Sequence, residues 1–336
     1  MTTFADQVQQ FGGSPVGGLP YSWLMGPQGQ VFFVSPYRTA SATSGIGQDG
    51  NPGTFNKPMK TVAAALEQCT AGRGDIIYVM ANSNAAADTT EDLSETLTWD
   101  KDGTHLIGLT TPSMVSQRAR FNQLSTATGV SPMVDVTADN CTFANLQFFQ
   151  GVADATSLID VRVTGQRNYF DNVHFAGVAN ATMSASGCAS LALIGGAENV
   201  FRHCVIGVDT ATMDADGVNL LCDTDATRNL FEDCLFQAYI DATGACHVKL
   251  ADTTAIDRWL WFKNCQFISE STNKTVDMAE VFNIPAGISQ GKIVLQNCSA
   301  LDDGGAPVWT AGTEGIIWAN MVAAAASAGG GLMTNL

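Results

Sequence analysis

The sequence predicts an all-β protein, a single-stranded parallel β-helix with coils of about 30 residues, and three observations lead to this prediction. The first is a repeated motif in which an apolar anchor follows a Phe or Leu by three residues and an Asn, Asp or His by one residue. Its six full copies are 143–148, 170–175, 201–206, 231–236, 262–267 and 295–300, and a partial copy is 318–321.

The second observation is the spacing of the copies. Successive anchors lie 23 to 33 residues apart, which indicates a solenoid, a propeller or another repeat array. The third is that apolar residues recur at alternate or near-alternate positions, as in Phe231, Cys234 and Phe236, which is strand periodicity rather than helix periodicity. A propeller blade needs four strands in about 40 to 45 residues, so one coil of a parallel β-helix fits better.

Stacking of the copies predicts an apolar core that runs along the axis. Coils lie about 4.8 Å apart, so equivalent residues lie above one another. The expected core ladder consists of Phe143, Leu146, Phe170, Val173, Phe201, Cys204, Phe231, Cys234, Phe262, Cys265 and Cys298. The Asn, Asp and His residues before the anchors form a polar column, which either makes bends with paired side chains or binds a ligand.

Four of the nine cysteines share one column of this ladder: Cys204, Cys234, Cys265 and Cys298. Stacked neighbours about 5 Å apart approach disulfide distance, so buried thiols and disulfides both remain open. Neither CxxC nor paired His spacing occurs. No metal site and no cofactor are therefore expected.

Composition and charge narrow the classes of function. Charged residues make up 14% of the 336 residues and the net charge is −16. A chain without surplus Lys or Arg is not expected to bind nucleic acid or anionic membranes. No apolar run approaches the about 18 residues of a spanning helix, and Met1 begins no secretion signal, so synthesis in a cytoplasm without secretion is expected.

Residues 1–30 are rich in Gly and Pro turns and cannot build a core of their own. Large apolar side chains nevertheless cluster there, namely Leu19, Tyr21, Trp23, Leu24 and Met25. Two interpretations stay open. The segment either folds back on its own β-helix or extends as an anchoring arm that grips a partner through these residues.

Residues 31–82 are expected to close the first end of the solenoid. They read as a strand at Val31–Val34, a loop, an Ala-rich helix over 57–70 with Asn56 as its N-cap, and a second strand. Residues 83–322 then form the coils and residues 323–336 a C-terminal tail. Within the coils, Thr110 to Pro132, with Arg118, Arg120 and Phe121, is predicted to be a lateral loop.

The segment 31–82 resembles the opening of pectate-lyase-like right-handed β-helix proteins found in tailed bacteriophages. The shared features are an extended strand ending near Pro36, a Gly- and Asn-rich loop, Pro58-x-x-Thr61, an Ala-rich helix, and Gly74-Asp75 before an apolar strand. Ser35 stands where the family more often has Asp. The resemblance implies a right-handed β-helix with a short N-terminal capping helix.

The resemblance also implies a structural protein of a phage particle. The expected protein is a trimeric decoration or cement protein on the capsid exterior, made in the host cytoplasm and attached through residues 1–30. Its expected partners are itself, as a homotrimer, and the major capsid protein or another virion protein. The alternative is a tailspike or related receptor-binding protein that binds or cleaves a host surface polysaccharide.

Acidic residues concentrate in one stretch: Asp209, Asp214, Asp216, Asp223 and Asp225. Enzymes on this fold hold calcium with acidic residues on one face, or use paired carboxylates. The stretch matches only the start of a calcium loop, and a predicted strand separates the first three residues from the last two. Solvated turn residues are therefore favoured, no catalytic residue is assigned, and enzymatic activity is not expected.

Trp259 and Trp261 lie on the same side of a predicted strand and offer flat apolar faces. They suit either stacking against a sugar of a host glycan or a lateral contact between subunits. Among the four histidines, His203 stands in the polar column and is predicted to be a bend residue.

Overall fold

The computed structural model of the protein describes residues 10–11, 14–15, 29–36, 47–81, 90–271, 276–302, 309–310 and 316–319. They form an all-β, right-handed parallel β-helix of about seven turns, which confirms the predicted fold class. Beside the β-helix strands, a short antiparallel pair joins β1 (Gln10–Phe11) and β2 (Ser14–Pro15).

Each complete coil passes through three parallel sheets. The first sheet contains β3 (Val31–Val34), β4 (Ile76–Met80), β7 (His105–Leu109), β14 (Val200–Arg202), β18 (Asn229–Glu232), β21 (Trp259–Lys263), β24 (Lys292–Gln296) and β26 (Ile316–Ala319). The second contains β5 (Thr90–Leu93), β8 (Arg120–Gln123), β15 (Val205–Ile206), β16 (Thr212–Met213), β19 (Leu235–Ile240), β22 (Gln266–Ser271) and β25 (Ser299–Asp302).

Two long strands, β10 (Thr142–Phe149) and β12 (Tyr169–Ala176), bend and belong to both of these sheets. The third sheet contains β6 (Leu97–Trp99), β9 (Val134–Val136), β11 (Ile159–Val163), β13 (Ala189–Ile194), β17 (Val218–Asp223), β20 (Cys246–Leu250) and β23 (Phe282–Asn283). The chain therefore turns three corners in each coil, one between each pair of sheets.

The core lies inside the three sheets. All eleven residues of the expected core ladder are at most 2% exposed. The Phe rings from Phe143 to Phe262 form one stack, with successive centroids 4.5–5.1 Å apart and ring planes within 14° of parallel. Full burial of one Phe side chain stabilises the fold by about 1.5–3 kcal/mol, so this column is a major contribution to stability.

The polar column lies at the corner between the first and second sheets. Asn145, Asn172, His203, Asp233, Asn264 and Asn297 all have φ between 51° and 57°, a left-handed conformation that Asn and Asp tolerate better than most residues. Asn172 Nδ2 donates to Asn145 Oδ1 at 2.9 Å, and the same contact recurs between Asn264 and Asp233 at 3.0 Å. The interpretation of these residues as paired bend residues is confirmed.

A second polar ladder, which the sequence did not predict, lies at the corner between the third and first sheets. Asn168, Asn199 and Asn229 are at most 1% exposed. Asn199 Oδ1 accepts the backbone N–H of Asn168 at 2.8 Å, and Asn229 Oδ1 accepts that of Asn199 at 2.9 Å. Each of these asparagines precedes a core Phe by two residues, so the signal was present in the repeat.

The capping helix α1 spans Val62–Gln68, shorter than the predicted helix over 57–70, and its N-cap is Thr61 rather than Asn56. The reason is that Met59 extends the sheet: its N–H donates to the carbonyl of Phe33 at 2.9 Å. Thr61 Oγ1 then accepts the N–H of Ala64 at 3.2 Å. A long-range strand contact therefore overrides the local helical pattern before Thr61.

The predicted lateral loop between Thr110 and Pro132 was wrong in part. Within it, β8 (Arg120–Gln123) pairs with both β5 and β10. Phe121 is 0% exposed, and its ring stacks on Phe148 with centroids 5.3 Å apart. Phe121 is therefore a core residue of the second sheet.

Candidate functional site

The five residues of the predicted partner contact, Leu19, Tyr21, Trp23, Leu24 and Met25, lie outside the described residues. The same holds for the C-terminal tail at 323–336. The anchoring role of residues 1–30 and the limits of the cap, coil and tail segments therefore stay predictions.

The acidic stretch does not form one site. Asp214 and Asp216 are exposed before β17 begins at Val218, and Asp225 is exposed beyond its end at Asp223. Six strand residues at about 3.3 Å each place the two groups at opposite corners of the coil, roughly 20 Å apart. Within the described ranges, no three His, Cys, Asp or Glu side chains are grouped to hold a metal ion.

The nine cysteines are all buried free thiols. Cys234 Sγ donates to the carbonyl of Phe201 at 3.4 Å and to that of Glu232 at 3.3 Å. Burial raises the pKa of the Cys234 thiol well above its usual value. A protonated thiol enclosed by the core is a poor nucleophile and metal ligand, so this column serves packing.

A buried polar column on the third sheet was missed by the sequence analysis. Asp160, Ser190, Asn219 and His247 occupy equivalent positions in four successive coils, and each is at most 1% exposed. Asn219 Nδ2 lies 3.0 Å from His247 Nδ1 and donates to the carbonyl of Gln237 at 2.9 Å. The four residue types differ, so the column can be recognised only from the register of the paired strands.

Two members of this column are held uncharged. Burial raises the pKa of Asp160 well above its usual range and lowers the pKa of His247 to about 3. Both Asp160 oxygens and His247 Nε2 have no hydrogen-bond partner among the described residues. Because these atoms are closed off from the surface, the column is an internal polar layer and not a substrate site in this conformation.

An acidic cleft of about 470 Å³ lies beside α1 at the first coil. Glu67, Glu91, Glu95 and Asp100 line it together with Lys101. Both carboxylate oxygens of Glu91 accept the N–H of Val62, at 3.1 and 2.9 Å. Burial raises the pKa of Glu91 to about 8. The Glu91 carboxyl group therefore holds the start of α1, the helix that closes the first end of the β-helix. The cleft is part of this capping structure.

The outer side of the first sheet presents a regular surface, called here the lateral face. Its centre is an apolar column of half-exposed side chains from five successive coils: Tyr169, Val200, Leu230, Trp261 and Val294. One flank, at the corner from the third sheet, consists of Arg167, Glu198, Arg228, Trp259 and Lys292. The other flank consists of Asp171, Arg202, Glu232, Lys263 and Gln296.

The two tryptophans lie together on this face. Trp259 and Trp261 are both half-exposed and meet edge to face, with ring centroids 6.0 Å apart and planes at 86°. The prediction that they share one side of a strand is confirmed. Both uses considered for them, sugar stacking and lateral contact, are compatible with this exposure.

His203 is the bend residue expected from its position, with φ of 51°. Its Nδ1 lies 3.0 Å from Asp171 Oδ1. The other three histidines, His105, His174 and His247, are at most 6% exposed. Burial lowers the pKa of His105 and of His174 to about 4, so these two rings are neutral at physiological pH.

No helix among the described residues has both the length and the apolar character needed to cross a membrane. No family model matches the chain, and no curated protein matches it. The chain is similar to solved β-helix structures at low identity. Against pectate lyase Pel9A the identity is 15% and the TM-score 0.47, with 80% of this chain aligned to 62% of the lyase.

Pectin methylesterase PemA from Erwinia chrysanthemi is 16% identical with a TM-score of 0.49, over 87% of this chain and 81% of the enzyme. The ORF18 protein of Geobacillus virus E2 is 12% identical with a TM-score of 0.41, over 77% of this chain and 55% of the viral protein. This chain thus spans less than two thirds of the pectate lyase and of the viral protein.

Proposed function

We propose that this chain is a structural protein of a tailed-bacteriophage particle, a trimeric decoration or cement protein on the head exterior. The lateral face carries the proposal. An apolar column that continues over five coils, about 19 Å at the spacing of stacked strands, is suited to packing against another rod. Residues 1–30 attach the assembly to the major capsid protein or to another virion protein.

The cap segment supports the phage assignment. Strand β3, helix α1 and strand β4 follow one another in the order implied by the sequence resemblance. Thr61 of the Pro58-x-x-Thr61 motif caps the helix, and Asp75 of the Gly74-Asp75 pair accepts the N–H of Gln30 at 2.6 Å. The motif residues therefore have structural roles in closing the first coil.

The homotrimer is tested by multi-angle light scattering on the purified full chain. The expected mass is three times the chain mass of 35.3 kDa. A mass of one chain at micromolar concentration refutes the trimer.

Attachment is tested with a chain lacking residues 2–28. It is expected to remain folded but to be absent from purified particles, in which cryo-electron microscopy of the full-length protein shows density on the head. Normal incorporation of the truncated chain would refute the anchoring role.

A second candidate is a receptor-binding protein that binds or cleaves a host surface polysaccharide. The half-exposed pair Trp259 and Trp261 favours it, because aromatic faces stack on sugars and Lys292 lies beside Trp259 in the sheet. Incubation of the intact protein with host surface polymer, followed by chromatography of released oligosaccharide, tests cleavage. Release that is abolished in Asp214→Ala or Asp216→Ala would favour the enzyme over the decoration protein.

A further inference from the structure

Charges on the lateral face follow a rule across each strand of the first sheet and the corner residue before it. In three successive coils the residues two before and two after the apolar centre have opposite charge: Arg167 and Asp171, Glu198 and Arg202, Arg228 and Glu232. The sign on each flank alternates from coil to coil. In the next coil the same positions hold Trp259 and Lys263, an aromatic ring and a cation.

Contacts within the chain use only part of these side chains. Glu198 lies between two arginines on its flank, 2.7 Å from Arg167 Nε and 3.4 Å from Arg228 Nε. On the other flank Glu232 lies 2.6 Å from Lys263 Nζ and 3.5 Å from Arg202 Nε, and the buried Asp171 lies 3.0 Å from His203 Nδ1. The side chains of Arg167 and Arg228 are still 57% and 49% exposed. The two arginines therefore keep about half of their side-chain surface available to a partner that approaches from the side.

We propose that the lateral face joins copies of this chain side by side, parallel and in register, around an axis along the rod. In such a cyclic arrangement the first flank of one copy meets the second flank of the next copy at the same height. Glu198 then faces Arg202, and Arg228 faces Glu232. A shift by one coil would place like charges opposite each other, so the pattern selects the register.

The overall charge favours a second copy at this face. The chain carries −16, which makes its copies repel one another at most orientations. The two flanks together hold five basic and three acidic side chains, so this face has a small positive surplus on an acidic protein. The apolar column between the flanks supplies buried area, and the charges supply register. This proposal rests on the proposed homotrimer and names the surface through which its subunits contact one another.

The apolar column is tested with Leu230→Asp. The matched control is Leu221→Asp, because Leu221 is a half-exposed leucine that points outward from β17 on the third sheet. Light scattering is expected to give the mass of one chain for Leu230→Asp and the mass of the wild-type assembly for the control. Circular dichroism and thermal unfolding verify folding, and Leu230→Thr with Leu221→Thr replaces the pair if an Asp variant does not fold.

The register is tested with Arg228→Glu, Glu232→Arg and the double variant. Each single change sets like charges across the interface and is expected to weaken association by about tenfold or more. The double variant restores opposite charges between neighbouring copies and is expected to return to within about threefold of wild type. Arg228 lies at the corner before β18 and Glu232 ends that strand. The two residues are thus separated by about 13 Å of extended chain, so rescue cannot arise from a contact within one chain.

The outcomes separate the two proposals. A wild-type mass of one chain refutes the homotrimer itself. An assembled wild type that Leu230→Asp leaves intact, or a double variant as weak as the single variants, refutes only this surface. Loss of glycan binding in Leu230→Asp with an unchanged mass would assign the face to a sugar and overturn the inference.

Discussion

At the scale of single residues, burial decides what each position of the repeat tolerates. Cys234 is 2% exposed, and its thiol donates to two backbone carbonyls. Its neighbour Asp233 has an exposed side chain on a left-handed bend. Two adjacent positions therefore have opposite requirements: position 234 needs a small apolar side chain and position 233 a short polar one.

Cys234→Asp is expected to abolish folding, because a carboxyl group would replace a thiol inside the core without a donor to pair it. The matched control is Asp233→Asn, which keeps the bend and an oxygen for the Nδ2 of Asn264 and should change the midpoint of urea unfolding little. Circular dichroism and urea titration measure both. A well-folded Cys234→Asp protein would contradict the proposed core column.

Phe201→Ala is expected to lower the free energy of unfolding by about 3–5 kcal/mol. The ring is 0% exposed and lies between Phe170 at 4.7 Å and Phe231 at 4.5 Å, so its removal leaves a cavity in the stack. Phe55→Ala is the control, because that ring is 58% exposed. Equal losses in the two variants would show that the stack is not the main source of stability.

At the scale of elements, the strands of the motif copies were predictable, whereas elements set by distant partners were not. The repeat places a Phe in every copy from 143 to 262, and the structure stacks them. The start of α1 was misplaced because the pairing of Met59 with Val34 is not visible in the local pattern. Phe121 was missed although it precedes Phe148 by 27 residues, one of the spacings of the repeat itself.

The candidate surfaces were predictable only in part. Trp259 and Trp261 were found because alternate residues share a strand face. The sequence did not show that charged residues share this surface with the tryptophans. Arg167, Glu198 and Arg228 are far apart along the chain and become neighbours only through the stacking of coils. The buried column from Asp160 to His247 has no common residue type, so no repeat in the sequence marks it.

Stability depends on pH through Glu91, whose buried carboxyl group accepts the N–H of Val62 at the start of α1. Burial raises the pKa of Glu91 in the folded state to about 8, from an ordinary value of 4.5. A raised carboxyl pKa means that the folded state binds a proton that the unfolded state has lost. The contribution of this proton to the free energy of unfolding is therefore fully present below pH about 4.5. It declines as the pH rises and is lost above about 8.

Glu91→Gln is expected to remove this decline, because the amide does not titrate. Between pH 5 and 8 the wild type should lose stability relative to the variant by up to about 1.4 kcal/mol per pH unit. Urea unfolding at four pH values measures the difference, with Glu95→Gln, at an exposed position, as the control. A constant difference across this range would show that Glu91 is ionised in the folded protein.

At the scale of the whole molecule, the rod is a stack in which each coil contacts its neighbours. Stability in such solenoids is close to a sum of coil and interface contributions. The spacing of 30 residues between Phe201 and Phe231 marks one complete coil. One coil can then be removed, and the coils before and after it can contact each other in the same way as neighbouring coils do in the intact protein.

Deletion of residues 201–230 is expected to give a shorter rod that still unfolds cooperatively, with Phe231 stacked directly on Phe170. Deletion of residues 201–215, half a coil, is the control and is expected to prevent folding because it breaks the register of all later strands. Small-angle scattering and thermal unfolding measure length and cooperativity. Equal behaviour of the two deletions would argue against a modular rod.

The parallel ladders also determine how the rod responds to force. Hydrogen bonds between stacked strands point along the rod axis, so tension between its two ends loads the coil interfaces in series. The interface that yields first frees about 30 residues, which extend by about 100 Å. A rod held at one end and pulled at the other would lengthen in such steps, dissipating energy while the remaining coils stay closed.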